Sequence, residues 1–185
     1  MNDQNMIRGQ NMNIGIDIDW VLTKNFFRRL YMDLYLRNKT TSDFYTFWKN
    51  EHHLLPRLEK DFYNKTSIYY GVDDIDINTR KNLWKLAESH QLFYITARPL
   101  EIQADTIIWF SKQDIPYKDD IYFSTTKKVL EVQINNIDLF VDDNASILEA
   151  IAPYCQVLLV EAPWNEDYTN FKKIRGLEDV YDYLW

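Results

Sequence analysis

Residues 13–23 have the sequence NIGIDIDWVLT, and this stretch decides the fold. Its apolar residues alternate with glycine or aspartate, so a period of two places Ile14, Ile16 and Ile18 on one face of a strand and Asp17 with Asp19 on the other. Two carboxylates roughly 5 Å apart repel by about 3 kcal/mol at an effective dielectric constant of about 20, so ionising both calls for a cation or a shared proton. The alternative from this stretch alone is that both acids lie on the solvated face of an edge strand.

The composition predicts a folded globular domain. The chain has 185 residues, which suits one well-buried core with an insertion and is short for two independent domains. The net charge of -7 argues against a non-specific nucleic-acid binder, because such proteins present a basic surface to phosphates. The single cysteine, Cys155, cannot form an intramolecular disulfide, and its apolar neighbours predict a buried, inert thiol.

The sequence gives no sign of export or of membrane insertion. Residues 1–12 are polar and lack the apolar core of a signal peptide. No stretch approaches the roughly 18 consecutive apolar residues of a membrane-spanning helix. We therefore expect a cytoplasmic protein that has no membrane partner.

Residues 24–76 predict a helical insertion after the first strand. Apolar side chains recur at helical spacing from Phe26 and Phe27 onward, a second helix would carry Trp48, and residues 54–63 predict a third. No strand pattern interrupts them. The aromatic side chains are explained most simply by packing between these helices, with a minority facing a ligand.

From residue 78 onward the pattern alternates between helix and strand. We predict helices over 78–89, 99–112, 127–135, 145–152 and near 177–184, and strands over 91–95, 120–123, 137–141 and 155–160. Strands separated by helices of this length indicate a parallel sheet covered on both faces. The expected architecture is an α/β three-layer sandwich with residues 1–23 and 77–185 as its core and residues 24–76 as a small helical cap.

Polar side chains follow the ends of the predicted strands. In parallel sheets the ligand site lies beyond the carboxyl ends of the strands, so these side chains are expected to meet. Taken singly, each has an ordinary explanation such as helix capping or a solvated charge. Taken together they predict one site made of four acids, a hydroxyl and one of two adjacent ammonium groups: Asp17, Asp19, Asp142, Asp143, Thr96 and Lys127 or Lys128.

The order of these residues resembles the haloacid dehalogenase superfamily of phosphotransferases. Its four motifs are similar to residues 17–21 (DIDWV), Thr96 within residues 94–99 (YITARP), Lys128, and the pair Asp142 and Asp143. Residues 93–99, 106–109, 115–117 and 138–144 also resemble the 5'(3')-deoxyribonucleotidase branch. One position departs from the pattern: the glycine usual after the second aspartate is Trp20 here. A bulky residue could alter this phosphate-binding turn or point away from it.

The resemblance implies a HAD-like Rossmannoid fold and a role for each residue of the site. Asp17 would attack phosphorus as a carboxylate, and Asp19 would protonate the leaving oxygen and later deprotonate water. Thr96, Ala97 and Lys128 would bind the substrate phosphate, with Lys128 favoured over Lys127 by its spacing to Asp142.

The same resemblance implies magnesium as the cofactor. Mg²⁺ prefers hard oxygen ligands and needs few from the protein. An anionic nucleophile also needs charge neutralisation before it can approach a phosphate dianion. The expected ligands are the carboxylates of three aspartates together with the Asp19 carbonyl: Asp17, Asp142, Asp143 and Asp19.

The expected function is a magnesium-dependent phosphomonoesterase acting through an aspartyl-phosphate intermediate, with the insertion as a cap over the site. The substrate is a small phosphomonoester, with a 5'-nucleotidase acting on (deoxy)ribonucleoside monophosphates as the leading interpretation and no nucleic-acid polymer as partner. Base stacking on aromatic rings contributes about 1 to 3 kcal/mol per base. The residues expected near the substrate and cap are Trp20, Phe26, Phe27, Trp48 and Arg98.

Other functions stay open at this level. A phosphatase of sugar phosphates or of phosphoglycolate would need the same core residues. A phospho-ligand module without turnover would retain the fold. A signalling receiver domain places its acidic pair first in the chain, whereas Asp142 and Asp143 come last. A dinucleotide-binding fold is excluded, because the chain has 4 glycines and no G-x-G-x-x-G motif after the first strand. The oligomeric state is not predicted.

Overall fold

The structure, a computed structural model, describes residues 11–23, 75–98, 100–117, 119–123 and 128–184. The predicted helical insertion therefore lies outside the described residues, apart from its last two positions. Of those two, Ile75 is buried in the core, and the side chain of Asp76 caps the following helix by accepting from the backbone N–H groups of Asn78 and Thr79.

The described residues form a six-stranded sheet in which every pair of neighbouring strands is parallel. Its strands are β1 (Asn13–Ile16), β2 (Gln91–Thr96), β3 (Ile121–Phe123), β4 (Leu139–Asp142), β5 (Gln156–Val160) and β6 (Lys173–Ile174). Their order across the sheet is β3-β2-β1-β4-β5-β6. Because β1 lies between β2 and β4, the edge-strand interpretation of residues 13–23 is wrong.

In the described residues, four α-helices connect these strands: α1 (Ile77–Ala87), α2 (Gln103–Lys112), α3 (Lys128–Ile134) and α4 (Ala145–Ile151). Short 3-10 helices cover Leu100–Ile102, Pro163–Asn165 and Leu177–Tyr183. In the part of the chain that the structure describes, no helix combines the length and the apolar character that crossing a bilayer requires.

The helices cover both faces of the sheet and create two hydrophobic cores. On one face, Leu83 of α1 and Phe110 of α2 pack on β-strand side chains that include Ile14 and Tyr94. On the other face, Val132 of α3 and Leu148 of α4 pack on Ile95, Phe140 and Leu159. Alternate residues of each strand therefore enter different cores, as the period of a pleated strand requires. The predicted α/β three-layer sandwich is confirmed.

Several boundaries differ from the sequence prediction. The helix predicted over 99–112 begins as a 3-10 turn, and α-helical bonding starts only at Gln103. The segment predicted as a helix near 177–184 is a 3-10 helix, in which Leu177 and Val180 are buried at the three-residue spacing of that helix. Strand β6 was not predicted, because two residues are too short to produce a periodic pattern.

Candidate active site

The register of the sheet brings two of the predicted acidic positions together. Ile16 of β1 pairs with Val141 of β4, and the next residue, Asp17, donates its backbone N–H to the Val141 carbonyl at 2.9 Å. Asp17 therefore follows β1 beside Asp142, the last residue of β4. Both side chains are buried, Asp142 completely. The carboxyl edge of the sheet thus carries two adjacent acids in a position shielded from water.

Lys128 joins these two acids. Its Nζ lies 2.7 Å from Asp17 Oδ1 and 2.7 Å from Asp142 Oδ2, and the side chain is buried. Burial by itself lowers the pKa of the ammonium, but the two carboxylates raise it by more, so the net shift is upward and the group stays charged. The structure thus brings together the lysine and the acids that the sequence predicted to meet.

One ammonium does not balance the acids around it. Burial raises the pKa of Asp17 to about 7, an effect that Lys128 opposes and the nearby Asp142 and Asp19 reinforce. Burial also raises the pKa of Asp143 well above its usual range, again with Asp142 and Asp17 contributing in the same direction. The site therefore has more negative charge than the described residues compensate, which is the condition that favours a bound cation.

The spacing of the acids also fits a metal ion. Asp17, Asp142 and Asp143 each offer one carboxylate oxygen, and the three oxygens lie within 4.8 Å of one another. This hard-oxygen donor set suits Mg²⁺. The Asp19 carboxylate is not in this cluster, and the predicted metal contact of the Asp19 backbone carbonyl stays a prediction.

Asp19 instead pairs with Arg98. The guanidinium donates from Nη2 to Asp19 Oδ1 at 2.6 Å and from Nε to Asp19 Oδ2 at 3.0 Å. Its Nη1 donates to Thr106 Oγ1 on α2 at 3.2 Å. Arg98 was expected near the substrate and cap, and this stays a prediction; its side chain is 3% exposed and is bonded to Asp19. An arginine two residues beyond the predicted phosphate-binding threonine is the signal that could have indicated this pair.

The predicted phosphate-binding residues of the second motif lie at the end of β2. Thr96 is fully buried, and its Oγ1 accepts the backbone N–H of Arg98 at 3.1 Å. The hydroxyl proton of Thr96 is not used in that bond, so it can be donated to an oxygen. Ala97 is exposed. The phosphate-binding roles of Thr96, Ala97 and Lys128 remain predictions.

Comparison with known proteins gives two kinds of similarity. The chain is 26% identical over 178 residues to a nucleotidase of Clostridium acetobutylicum, covering 93% of each chain, and 28% identical over 167 residues to a Bacillus subtilis protein named "Putative nucleotidase YqfW", covering 84% of this chain and 83% of that one. No protein-family model matches the chain. A haloacid dehalogenase-like hydrolase from Streptococcus pneumoniae superposes with a TM-score of 0.62 at 14% identity, covering 95% of this chain and 99% of that chain.

The chain has the haloacid dehalogenase fold. Within this fold the turn after β1 carries Trp20 where glycine is usual, and Trp20 has a φ of 66°, in the left-handed region that favours glycine. The indole is buried, packs edge-on against Trp164 with ring centroids 4.5 Å apart, and donates from Nε1 to the Glu161 carbonyl at 3.0 Å. The side chain therefore packs against the segment after β5, and the expectation that Trp20 lies near the substrate and cap stays a prediction.

A second feature of this haloacid dehalogenase fold was missed by sequence analysis. The 3-10 helix after β5 presents Asn165, which donates from Nδ2 to the carbonyls of Asp143 and Val160, each at 2.8 Å. Trp164 Nε1 donates to the same Asp143 carbonyl at 3.3 Å. These bonds fix the backbone of the acidic pair. A Pro-Trp-Asn sequence after an apolar strand is compatible with many turns, so it gave no specific signal.

Three of the predicted substrate and cap residues, Phe26, Phe27 and Trp48, lie outside the described residues, as does Lys127. Their roles are untested.

Proposed function

We propose that this chain is a magnesium-dependent phosphomonoesterase that forms an aspartyl phosphate on Asp17 and acts on (deoxy)ribonucleoside 5'-monophosphates. The observation that carries the proposal is the buried Lys128 ammonium between Asp17 and Asp142, with Asp143 completing a set of acids that one ammonium cannot balance. Such a site binds a cation together with an anionic substrate. The names of the two nucleotidase relatives support the choice of substrate class.

Lys128 has a donor suited to the substrate. An ammonium has three N–H groups, and Lys128 donates two of them to Asp17 and Asp142. The third has no acceptor among the described residues, so it can donate to an oxygen of the transferring phosphoryl group. Because negative charge develops on those oxygens in a water-excluded site, a fixed donor contributes more there than in water.

The residues that would hold Mg²⁺ are Asp17, Asp142, Asp143 and the carbonyl of Asp19. When bound, the ion neutralises the carboxylates and the approaching phosphate, so that one anion can attack another. The Asn144 backbone N–H donates to Asp142 Oδ1 at 2.8 Å, which fixes the orientation of that ligand.

The reaction has two steps. First, an oxygen of Asp17 bonds to phosphorus while the bond from phosphorus to the leaving oxygen breaks, and Asp19 transfers its proton to that oxygen. Second, a water oxygen bonds to phosphorus, Asp19 takes a proton from this water, and the bond between phosphorus and Asp17 breaks. Inorganic phosphate leaves, and both aspartates return to their initial states.

The test is turnover of a substrate panel by the purified chain in saturating Mg²⁺. The panel contains deoxy- and ribonucleoside 5'-monophosphates, sugar phosphates and phosphoglycolate, compared by kcat/KM. The nucleoside 5'-monophosphates should have the highest kcat/KM of the panel. If they show no advantage over sugar phosphates, the nucleotidase assignment is wrong and only the phosphatase class stands. If the protein binds phosphate but hydrolyses nothing, it is a phospho-ligand module.

The covalent step has its own test. Asp17→Asn should retain the fold and lose activity, while Asp182→Asn, an exposed acid in the last 3-10 helix, should retain activity. Asp19→Asn should release one equivalent of p-nitrophenol from p-nitrophenyl phosphate in a burst, because the phosphoenzyme forms but its hydrolysis lacks a base. Near wild-type turnover by Asp17→Asn would rule out the aspartyl phosphate.

A further inference from the structure

Arg98 and Asp19 form a partly buried ion pair that links two elements of the fold. Asp19 lies in the turn after β1, whereas Arg98 follows β2, and 79 positions separate them in sequence. The Arg98 side chain is 3% exposed and that of Asp19 is 16% exposed. Asp19 is thus held on one side by the guanidinium and remains accessible on another.

Arg98 is itself held in place on several sides. Its Nη1 donates to Thr106 Oγ1 at 3.2 Å, and its backbone N–H donates to Thr96 Oγ1 at 3.1 Å. The guanidinium carbon lies 5.8 Å from the centre of the Trp109 ring. These contacts fix the direction of the planar guanidinium group, and a fixed guanidinium fixes the carboxylate that it pairs with.

We propose that Arg98 is a positioning residue that holds the Asp19 carboxyl group in the orientation needed for proton transfer to the leaving oxygen. This inference rests on the proposed phosphomonoesterase activity. Proton transfer requires a heavy-atom approach within hydrogen-bond distance, so a carboxyl group free to rotate would spend much of its time out of reach.

The contacts also distinguish positioning from direct phosphate binding. Three of the five guanidinium N–H groups donate to Asp19 or Thr106, and the bidentate pair formed by Nε and Nη2 is directed at Asp19. An arginine that binds phosphate would instead direct a pair of N–H groups toward the open site. Arg98 therefore acts on the substrate through Asp19.

The two oxygens of Asp19 are not equivalent in this pair. Oδ1 accepts from Nη2 at 2.6 Å and from Nε at 3.2 Å, whereas Oδ2 accepts only from Nε at 3.0 Å among the described bonds. A carboxylate oxygen can accept about two hydrogen bonds. Oδ2 thus retains capacity for a proton, and it is the oxygen that Arg98 leaves available for transfer to substrate.

The test compares two substrates that differ in their need for a proton. An alkyl phosphate such as a nucleoside 5'-monophosphate has a poor leaving group, whereas p-nitrophenolate leaves without protonation. Arg98→Ala should lower kcat/KM for the alkyl phosphate by about 10- to 100-fold more than for p-nitrophenyl phosphate, part of the 10²- to 10⁴-fold that general acid catalysis typically contributes. The same selective loss should appear, larger, in Asp19→Asn.

Two further variants keep the experiment decisive. Arg98→Lys retains the charge but cannot form the bidentate pair with Asp19. Its extra loss of kcat/KM on the alkyl phosphate should therefore be smaller than that of Arg98→Ala but still measurable. It also replaces Arg98→Ala if the latter does not fold. Arg175→Ala is the matched control, because Arg175 makes a similar two-pronged pair with Asp179 on an exposed surface, and it should leave the ratio of the two kcat/KM values unchanged.

Inhibition by inorganic phosphate separates the two possible roles. A positioning residue leaves the inhibition constant for phosphate within about twofold of the wild-type value, whereas loss of a phosphate ligand weakens inhibition and slows both substrates equally. An equal loss on both substrates in the Arg98 variants would overturn the inference. Absence of any phosphatase activity in the wild type would instead refute the proposed function, so the two failures are distinguishable.

Discussion

The ammonium of Lys128 lies 2.7 Å from the Asp17 carboxylate, although 111 positions separate the two residues in sequence. Breaking a buried ion pair by removing one partner costs about 3 to 5 kcal/mol, because the other charge is left uncompensated. Lys128→Met should therefore destabilise the metal-free protein by roughly 3 kcal/mol in urea denaturation. Because a bound cation compensates the same acids, added Mg²⁺ should recover part of this loss.

Lys172→Met is the matched control, since Lys172 is exposed. It should change the free energy of unfolding by less than about 0.5 kcal/mol. A Lys128→Met protein as stable as the control would mean that the acids do not depend on the ammonium. Activity of Lys128→Met should also fall well below that of Lys127→Ala, and the reverse order would reassign the phosphate contact to Lys127.

The stability of the metal-free protein should fall as the pH rises from about 4 to about 7. Burial raises the pKa of Asp17 from 3.8 to about 7, so across this range the folded state holds a proton that the unfolded state has released. Asp143 shifts in the same direction. Bound Mg²⁺ should remove much of this dependence, since it stabilises the ionised carboxylates.

Urea denaturation at pH 5 and pH 7.5, with chelator and with Mg²⁺, measures this effect. Asp17→Asn should reduce the pH dependence in chelator, whereas the exposed variant Asp182→Asn should not. Stability that rises with pH across this range in the metal-free wild type would show that the site acids are not the dominant titrating groups.

Gly15 allows β1 to lie against the Phe140 side chain of β4. A Cβ atom at position 15 would approach Phe140 Cδ2 to 2.4 Å and Ile137 Cγ2 to 3.2 Å. Both neighbours are buried, so the ring cannot move without disturbing the core. Gly15→Ala should destabilise the protein by about 1 to 3 kcal/mol, which thermal or urea denaturation would detect.

Gly176→Ala provides the comparison for that variant. Its new Cβ would also meet a close neighbour, at 2.6 Å, but that neighbour is the carboxylate end of the exposed and flexible Glu178 side chain. Rotation of Glu178 relieves the contact, so the loss should be smaller than for Gly15→Ala. Equal losses would show that the Phe140 ring can yield as readily as a surface side chain.

Replacing Trp20 with the glycine that is usual at this position should not stabilise the protein. Glycine would relieve the left-handed backbone, worth about 1 to 2 kcal/mol, but would remove a buried indole whose deletion costs about 3 to 5 kcal/mol. Trp20→Gly should thus be less stable than the wild type. Trp20→Ala should be about 1 kcal/mol less stable still, because it loses the ring and keeps the strain.

Thermal denaturation of the wild type, Trp20→Gly and Trp20→Ala measures their order of stability. If Trp20→Ala equals Trp20→Gly in stability, the backbone strain at position 20 is negligible. If Trp20→Gly is more stable than the wild type, the contacts of the indole with Trp164 and Glu161 stabilise the protein by less than the backbone strain at position 20 destabilises it.

Much of the core could be predicted from local patterns. The alternation over residues 13–23 indicated a strand followed by acids, and the alternating helices and strands indicated a parallel sheet with both faces covered. Short elements escaped prediction, since two residues of β6 and a three-residue 3-10 helix after β5 produce no period. The missed bonds of Asn165 to the Asp143 backbone follow from that short helix.

The sequence by itself determined which residues reach the carboxyl edge of the sheet, because strand periodicity and strand ends are local properties of the chain. Tertiary structure alone decided their partners. Lys128 bridges Asp17 and Asp142, and Asp19 forms an ion pair with Arg98. The Trp20 indole packs on Trp164. These choices depend on strand order and on the burial that makes an unpaired charge costly, and both exist only when distant segments pack together.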